Sequence, residues 1–450
     1  MALRIGTKSD RERFKKLKDQ IEKKHGKTTQ ELLDEREKRM TDAIELRIPD
    51  RVPVTIQTGV FSARYAGIPL SAMYYDYPAY REASLKTILD FEPDVGASMV
   101  LVSSGLVNEL LDVRHQRWPG GNLPAETPYQ FVEGEYMSAD EYDLFLDDPS
   151  DFIFRIYLPR LYGTLEPLGD LPPFRNLVGG MGVTAVLGML RNPKFKALTA
   201  KLARAAREQE RLQKEGARFS DVMTYLGFPS QYGGGIGGLA GGGIGSAPFD
   251  TISDMLRGMR GAMIDMYRCP DKLLAACDRI LQWRLAQTTP TEPDARGNRK
   301  RAGMPLHRGS QGFMSIPQFE KFYWPTLKQA IIANVNLGYI SAPFWEGIWD
   351  DRLEYLLELP KGKVVFHTEL TNLKRAKEVL GGHMCIQGGV PPTILQAGSP
   401  HDVEELCKHL IKTIGKDGGF ILGPGSAIDY ARPDNIKAMI DSAKKYGWYR

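Results

Sequence analysis

The 450-residue sequence has little cysteine and little net charge, and each shortage excludes a class of protein. Its four cysteines form no Cys-x-x-Cys pair, so they do not make the disulfide framework of a small secreted domain. The formal net charge is only +4, which gives no indication of a nucleic-acid partner.

Long apolar runs are also absent, and none reaches the roughly 18 residues that a membrane-spanning helix needs. The charged N-terminus leads into no apolar core, unlike a secretory signal. Hydrophobic residues make up 42% and charged residues 25%, which is typical of a globular protein. We therefore expect a cytoplasmic protein with no membrane partner.

The N-terminal segment differs in composition from the rest. Residues 8–47 are rich in Lys, Glu, Arg and Gln, which predicts one or two solvent-facing helices on the body of the protein or on a second subunit. We predict a helical arm over residues 1–48 and a single large domain over 49–450. The arm makes a homodimer one expectation.

The large domain alternates short apolar runs with helical patterns. Eight runs are predicted as strands: 53–58, 97–104, 221–228, 302–309, 339–347, 363–369, 384–389 and 418–425. Predicted helices cover 79–91, 192–216, 250–288, 316–337, 350–359, 371–380, 400–415 and 433–446. Eight alternating units favour a (β/α)8 barrel with a long excursion at about 105–220, after the second strand. A doubly wound sheet is the alternative, but no GxGxxG motif follows the first strand.

In such a barrel the active site lies at the carboxyl ends of the strands. Polar or aromatic residues stand at most of these predicted ends: Ser103, Ser104, Phe228, His307, Trp345, Glu346, His367, Glu369, Gln387 and Ser426. Two of the seven histidines lie on this rim. We interpret the rim as a functional site.

The sequence VVFHTEL places His367 and Glu369 two residues apart, so on a strand they point the same way. Together they are candidates to bind a metal or to move a proton. Alternatively, the histidine caps a helix and the glutamate forms a surface ion pair.

His307 and Glu346 are further candidates. His307 precedes a loop of glycine and serine and would serve as an acid or a substrate hydrogen-bond partner, or else as a structural histidine. Glu346 lies between Trp345 and Trp349, where aromatic rings would line a ligand and raise the pKa of the acid. In the alternative interpretation, the tryptophans are core and Glu346 pairs with an arginine such as Arg352.

A glycine-rich loop spans 233–245, with nine glycines in thirteen residues. It lacks the GK[ST] ending of a phosphate loop. We expect Gly234, Gly238 and Gly242 to let a large flat ligand approach the backbone, or the loop to move as a lid. The other interpretation is a loop with no contact. None of the cysteines is a candidate nucleophile.

The C-terminal third resembles the uroporphyrinogen decarboxylase superfamily. The resemblance lies in CIQGGVPPTILQAGSP (385–400) and GGFILGPGSAIDYARPDN (418–435), and in ELRIPDRVPV (45–54) near the start. It implies a (β/α)8 barrel with one of two activities. These are decarboxylation of uroporphyrinogen and cobalamin-dependent methyl transfer with a separate corrinoid-binding protein.

Two departures from the family patterns narrow the expectation. The decarboxylases have an arginine-rich stretch after the first strand and an aspartate after the second, where this chain has Arg64 alone and Ser103-Ser104-Gly105. The thiol-specific zinc enzymes carry His-x-Cys and a later cysteine. Here His367 is kept, but Glu369 and Ser426 replace the thiolates, which argues against thiol activation by zinc. A weaker, oxygen-rich metal site from His367, Glu369 and Glu346 is a further expectation.

The resemblance therefore implies a methyltransferase of the O-demethylase type. It would pass a methyl group from a substrate such as an aryl methyl ether to cob(I)alamin on a partner protein that docks over the barrel mouth. His367, Glu369, Glu346 and His307 would assist the leaving oxygen as acids. The expected substrate-binding residues are Tyr225, Phe228, Trp345, Trp349, Gln387 and Ser426. The alternatives are a decarboxylase, a methylcorrinoid:acceptor methyltransferase and a corrinoid-binding protein without chemistry.

Overall fold

The computed structural model describes residues 7–95, 103–179, 182–230 and 242–449. Its centre is a parallel sheet of five strands that are neighbours in chain order. The strands are β1 (Arg301–Leu306), β2 (Ile340–Trp345), β3 (Val365–Thr368), β4 (Cys385–Val390) and β5 (Phe420–Pro424). A helix or helical turn separates each strand from the next, because parallel pairing needs a crossover connection.

The first predicted strand, 53–58, continues the sheet beyond β5 through isolated parallel bridges. Val54 bridges to Leu422, and Thr55 bridges to Val95, two residues before the second predicted strand. Residues 97–102 of that second strand lie outside the described residues. The order of these segments is the one a closed barrel needs, and the fold is a (β/α)8 barrel, as the alternation predicted.

The third predicted strand, 221–228, is wrong. Most of it ends a long helix, Pro193–Tyr225, which extends nine residues beyond the helix predicted over 192–216. Phe219, Val222, Met223 and Leu226 are buried at helical spacing, so their apolar stripe has a period of 3.6 residues rather than two.

The helices around the barrel agree with most of the other predictions, with shifted bounds. They are Phe61–Ala66, Ala72–Tyr75, Tyr77–Phe91, Pro248–Met255, Gly258–Arg268, Pro270–Gln287, Ile316–Gln318, Trp324–Asn336, Leu373–Leu380, Pro392–Ala397, Pro400–Thr413 and Pro433–Tyr446. The predicted helix 250–288 is broken in two places because Gly258 adopts a φ of 69° and Pro270 begins a new helix. The predicted helix 350–359 is a 3-10 helix, Leu353–Glu358.

The excursion after the second strand is mostly helical. Its α-helices are Gly105–Leu111, Tyr142–Asp147, Pro149–Phe152, Leu158–Leu161 and Gly182–Arg191, followed by Pro193–Tyr225. A two-stranded antiparallel ribbon pairs Gln116–Arg117 with Gln130–Phe131. Within the described ranges, no helix is both long and apolar enough to cross a membrane.

The N-terminal arm consists of α1 (Lys8–His25) and α2 (Thr29–Ile44). Each begins with a capping box, Thr7 with Asp10 and Thr28 with Glu31. The expectation of solvent-facing helices is wrong for α2, because its apolar face closes the amino end of the barrel. The cluster there consists of Met40, Ala43, Ile44, Val95, Ile340, Val365, Cys385 and Ile421.

This cluster also shows which side chains face the barrel interior. Val365 and Cys385 belong to it, whereas the alternate residues Phe366 and Ile386 pack in the main core between sheet and helices. Successive strand residues point to opposite faces. Phe344, His367 and Gln387, which share one register level, therefore face the interior nearer its carboxyl end.

Candidate active site

Three polar side chains stand side by side where β1, β2 and β3 end. The register pairs the last residues of these three strands with one another. The residues that follow them are His307, Glu346 and Glu369, so these occupy one level across three neighbouring strands. His307 Nε2 lies 3.9 Å from Glu346 Oε2. We call these three residues the mouth row.

Asp254 contacts His307 through the ring nitrogen opposite the one nearest Glu346. Its Oδ2 lies 2.5 Å from His307 Nδ1, and its Oδ1 accepts a hydrogen bond from the Arg308 guanidinium at 2.9 Å. With the Nδ1 proton directed at Asp254, the Nε2 of His307 faces Glu346. The carboxylate thus fixes both the orientation of the ring and the nitrogen that meets a ligand.

Asp250 fixes the backbone at the same point. This buried carboxylate accepts the backbone N–H of His307 at 2.9 Å, that of Arg308 at 3.1 Å and the Tyr323 hydroxyl at 2.8 Å. Burial raises the pKa of Asp250 to about 6. Asp250 and Asp254 lie one turn apart on the helix Pro248–Met255, so one helix face grips the end of β1.

The surroundings of the mouth row raise the pKa of two of its residues, His307 and Glu346. Burial lowers the pKa of His307, but the Asp254 hydrogen bond and the charges of Asp250, Asp254 and Glu346 outweigh it, so the pKa is raised. Burial raises the pKa of Glu346, and the charge of Glu369 raises it further against the opposing effect of His307. His307 therefore keeps its proton more readily than a free histidine does, and Glu346 more readily than a free glutamate.

His367 lies one level deeper and differs in character. It is 3% exposed, and its Nε2 lies 3.3 Å from the Pro424 carbonyl oxygen. Burial lowers its pKa to about 4, so the ring is neutral at pH 7. The prediction that His367 and Glu369 act together is not supported, because His367 is sealed inside the barrel while Glu369 lies at the mouth. A neutral, buried imidazole is also a poor acid for a leaving oxygen.

Gln387 shares this deeper level with His367. It is 8% exposed, and its side chain makes no hydrogen bond to the described residues. Phe344, on the other side of His367, is partly buried, and its ring centroid lies 4.9 Å from that of the imidazole. The interior below the mouth row thus holds an aromatic face, a neutral histidine and an unpaired amide.

The predicted metal ligands do not form a metal site. Within the described residues, no three His, Cys, Asp or Glu side chains are placed to hold one ion. His367 directs Nε2 to a backbone carbonyl, and Glu346 lies at the more exposed level above it. The donor set therefore does not fit a metal ion.

The assignment of Trp345 and Trp349 to the substrate wall is wrong. Both are fully buried, with ring centroids 4.8 Å apart, and both indole N–H groups are satisfied by carbonyl oxygens. Trp345 donates to Val365 at 3.1 Å and Trp349 to Glu346 at 2.9 Å. They pack in the core outside the barrel, which is the alternative that the sequence left open. The predicted Arg352–Glu346 pair is absent from the described contacts, since Arg352 pairs with Asp351.

The other predicted ligand contacts are scattered. Phe228 is fully buried under the Arg36 guanidinium, 4.0 Å from its ring centroid, and Tyr225 packs partly buried at the end of the long helix. Neither lies on the rim, because the strand predicted there is a helix. Ser426 follows β5 and is partly exposed at the same end of the barrel as the mouth row.

Of the three glycines predicted to lie against a ligand, Gly242 is the one within the described residues. Gly242 accepts a hydrogen bond from the Thr289 N–H at 3.0 Å and lies beside Tyr339, the residue before β2. It is therefore at the amino end of the barrel, opposite the mouth row, which contradicts a cofactor contact there. Gly234 and Gly238 lie outside the described residues.

Sequence reasoning missed Asp250, Asp254, Arg308 and Tyr323. A signal for the first two was available, because PFDTISDM places two carboxylates one turn apart at the start of a predicted helix. Their contacts at the end of β1 join residues 53 to 58 positions apart, so their role depends on tertiary contact. Arg308 and Tyr323 gave no signal of this kind.

Comparison with known proteins agrees with this architecture. Residues 236–446 match the family model described as uroporphyrinogen decarboxylase. A uroporphyrinogen decarboxylase of Syntrophotalea carbinolica is 23% identical over 205 residues, which cover 44% of this chain and 57% of that protein. The alignment thus spans little more than half of that relative's length.

Among solved structures, a methyltransferase from Methanosarcina mazei aligns with a TM-score of 0.55 and 14% identity. The alignment covers 91% of this chain and 98% of that one, and it shows a shared fold. The shared fold is a (β/α)8 barrel, and the proteins that the chain resembles are named as a decarboxylase and a methyltransferase. The C-terminal part of the chain is similar to the uroporphyrinogen decarboxylase family, in agreement with the resemblance seen in its C-terminal motifs.

Proposed function

We propose that the chain is a methyltransferase that moves a methyl group between a small O-methylated substrate, such as an aryl methyl ether, and a corrinoid on a partner protein. The mouth row carries this proposal. It places a histidine with a raised pKa beside a carboxyl group with a raised pKa, at the end of the barrel where ligands bind.

The chemistry needs an acid rather than a protein nucleophile. A Co(I) corrinoid supplies the nucleophilic electron pair. When the bond between the methyl carbon and the ether oxygen breaks, its electron pair remains on oxygen. His307 Nε2 donates a proton to that oxygen, so a neutral alcohol or phenol leaves, and Asp254 stabilises the imidazolium beforehand.

The surroundings of the mouth support a large partner. Exposed apolar side chains follow β1, β2, β3 and β5, and together form what we call the apolar rim: Phe313, Ile348, Leu370 and Tyr430. Rings of exposed apolar groups around a polar centre are typical of interaction surfaces. A corrinoid-binding protein that docks here would cover the mouth row and exclude water from it.

A decarboxylase is the second candidate, because the family model and the curated relative carry that name. A substrate with several carboxylates requires cationic partners. Two arginines at this end are already engaged: Arg64 donates to the Tyr430 hydroxyl at 2.7 Å, and Arg308 pairs with Asp254. The methyltransferase therefore accounts better for the site.

An anaerobic absorbance assay tests the proposal. The protein is mixed with cob(I)alamin and a pool of methylated aromatic, alcohol and amine donors, and a second mixture holds methylcobalamin with the corresponding acceptors. Exchange between the cob(I)alamin and methylcobalamin spectra in either mixture is the expected result. Unchanged spectra in both, together with release of carbon dioxide from uroporphyrinogen, would replace the proposal with the decarboxylase.

A further inference from the structure

The mouth row has two carboxyl groups, Glu346 and Glu369, and one basic side chain, His307, so its acidic groups outnumber its basic ones. Within the described residues, neither Glu346 nor Glu369 has a Lys or Arg partner, and the nearest recorded cation is His307 at 3.9 Å from Glu346. Arg308, next in the chain, is engaged with Asp254 and Ser253.

The internal segments outside the described residues add no charged side chain to this count. Residues 96–102 (GASMVLV) and 231–241 (QYGGGIGGLAG) contain no charged residue. The two carboxylates sit at the same level on neighbouring parallel strands, about 5 Å apart in the backbone. A cation between or above two carboxyl groups at this spacing favours the ionised form of both.

The barrel interior below the row supplies an independent indication of a ligand. Gln387 is nine-tenths buried, faces the interior and lacks a hydrogen-bond partner among the described residues, so its amide is open to a ligand or water. The partly buried ring of Phe344 lies at the same level and offers a face that attracts cations. His367, between them, is neutral and adds no opposing charge.

We propose that the substrate of this site is an organic cation, whose ammonium group lies against Glu346 and Glu369 and whose remaining part extends toward Phe344 and Gln387. This deepens the proposed function and rests on it for the place where substrate binds. The shared chemistry is a substituted ammonium group, and two sources fit. One is a quaternary ammonium that itself gives up a methyl group, and the other is a methyl ether that carries a protonated amine.

The two sources differ in the bond that breaks. In a quaternary ammonium the bond between methyl carbon and nitrogen breaks, its electron pair stays on nitrogen, and a neutral tertiary amine leaves without a proton. In the ether the bond to oxygen breaks, and His307 supplies the proton to the leaving oxygen. In both, the methyl group passes to the Co(I) corrinoid as the co-reactant.

Equilibrium binding to matched pairs of probes tests the inference without any catalytic step. Choline is compared with its neutral isostere 3,3-dimethylbutan-1-ol, and 3-methoxybenzylammonium with 3-methoxybenzyl alcohol, by calorimetry on the full-length protein. We expect the cation of at least one pair to bind about tenfold or more tightly than its neutral partner. The pair that shows the preference identifies the source.

Substitutions then locate the effect. Glu346→Gln and Glu369→Gln should each weaken cation binding about tenfold and leave the neutral partner unchanged. Glu358→Gln is the matched control, because Glu358 is similarly exposed but pairs with Lys328 away from the mouth. It should bind both probes as the wild type does.

Equal binding within both pairs, no binding of either cation, or loss of binding in the control alone would overturn the inference. The proposed function and the cation site can each fail without the other. Cation binding that depends on Glu346 and Glu369, without methyl transfer to cob(I)alamin, would remove the methyltransferase but keep the cation site. Methyl transfer from neutral ethers with no preference for cations would do the reverse.

Discussion

At the scale of single residues, the charge of His307 depends on Asp254. The hydrogen bond between them and the negative charge of Asp254 raise the pKa of His307 above its ordinary value. Burial raises the pKa of Asp254, but His307 and, to a smaller extent, Arg308 outweigh it, so the pKa is lowered and the carboxylate stays ionised. In the proposed function, the acid is therefore the pair His307 and Asp254 rather than one histidine.

Asp254→Asn should shift the basic limb of the pH–rate profile of methyl transfer to lower pH by about one unit or more. The cause is that His307 then loses its proton at lower pH, so the rate falls more at pH 8 than at pH 6. Asp441→Asn, which removes a surface ion pair with Lys437, should leave the profile unchanged. An unshifted profile in Asp254→Asn would show that His307 is not the acid.

His367 predicts a pH dependence of stability instead of rate. Its pKa is about 4 in the folded protein and about 6.5 when unfolded, so the unfolded chain takes up the proton first as pH falls. The stability that the neutral ring contributes is present above about pH 6.5 and is lost as pH falls toward 4. The full loss is of the order of 3 kcal/mol.

Urea unfolding at several pH values measures this loss. His367→Gln should show a flatter decline than the wild type between pH 6.5 and 4, and the difference between the two curves isolates the histidine. That comparison matters because Asp250, whose pKa is raised to about 6, contributes with the opposite sign and loses its stabilising effect as pH rises. Parallel curves would mean that His367 titrates normally.

At the scale of secondary-structure elements, α2 closes the amino end of the barrel. Ile44 on α2 is 1% exposed and belongs to the cluster that fills the amino end, whereas Ile48, just beyond the helix, is 63% exposed. Ile44→Ala should lower the free energy of unfolding by about 2–5 kcal/mol through lost contacts and a cavity. Ile48→Ala should change it by less than about 0.5 kcal/mol. Similar losses of unfolding free energy for the two variants in chemical denaturation would contradict this role of α2.

The sequence predicted best the elements whose apolar pattern fits only a strand or only a helix. The five strands of the sheet are short apolar runs that enter loops, and all five were placed. The segment 221–228 is an apolar run of similar length, but its apolar residues also fit a helical stripe, and the preceding helix decides the outcome. Periodicity over eight residues does not separate these cases.

The candidate site, too, could be predicted from the sequence only in part. His307, Glu346 and Glu369 could be predicted because strand ends meet at one edge of a parallel sheet. Trp345 immediately precedes Glu346 yet points the other way, and the alternation of the strand buries it outside the barrel. Asp254 could not be paired with His307 from sequence, because the contact joins a helix to a strand 53 residues away.

At the scale of the whole molecule, the apolar rim makes the proposed partner testable. Replacing Ile348 and Leu370 by serine should raise the KM for a protein-bound corrinoid and leave transfer to free cob(I)alamin unchanged, since the small molecule does not need the docking surface. Leu357→Ser, at an exposed leucine of the 3-10 helix Leu353–Glu358, is the control. Steady-state kinetics with both acceptors measure the difference. Equal losses with both would place these residues in the catalytic step instead.

The most direct test of the central claim is a single-turnover measurement of methyl transfer to cob(I)alamin by the wild type, His307→Asn and Glu358→Gln. If the mouth row is the methyl-transfer site, the wild type and Glu358→Gln react at similar rates. His307→Asn should then be slower by about 10²–10⁴-fold with an ether donor. Wild-type rates in His307→Asn with that donor would contradict the assignment of the mouth row as the catalytic centre.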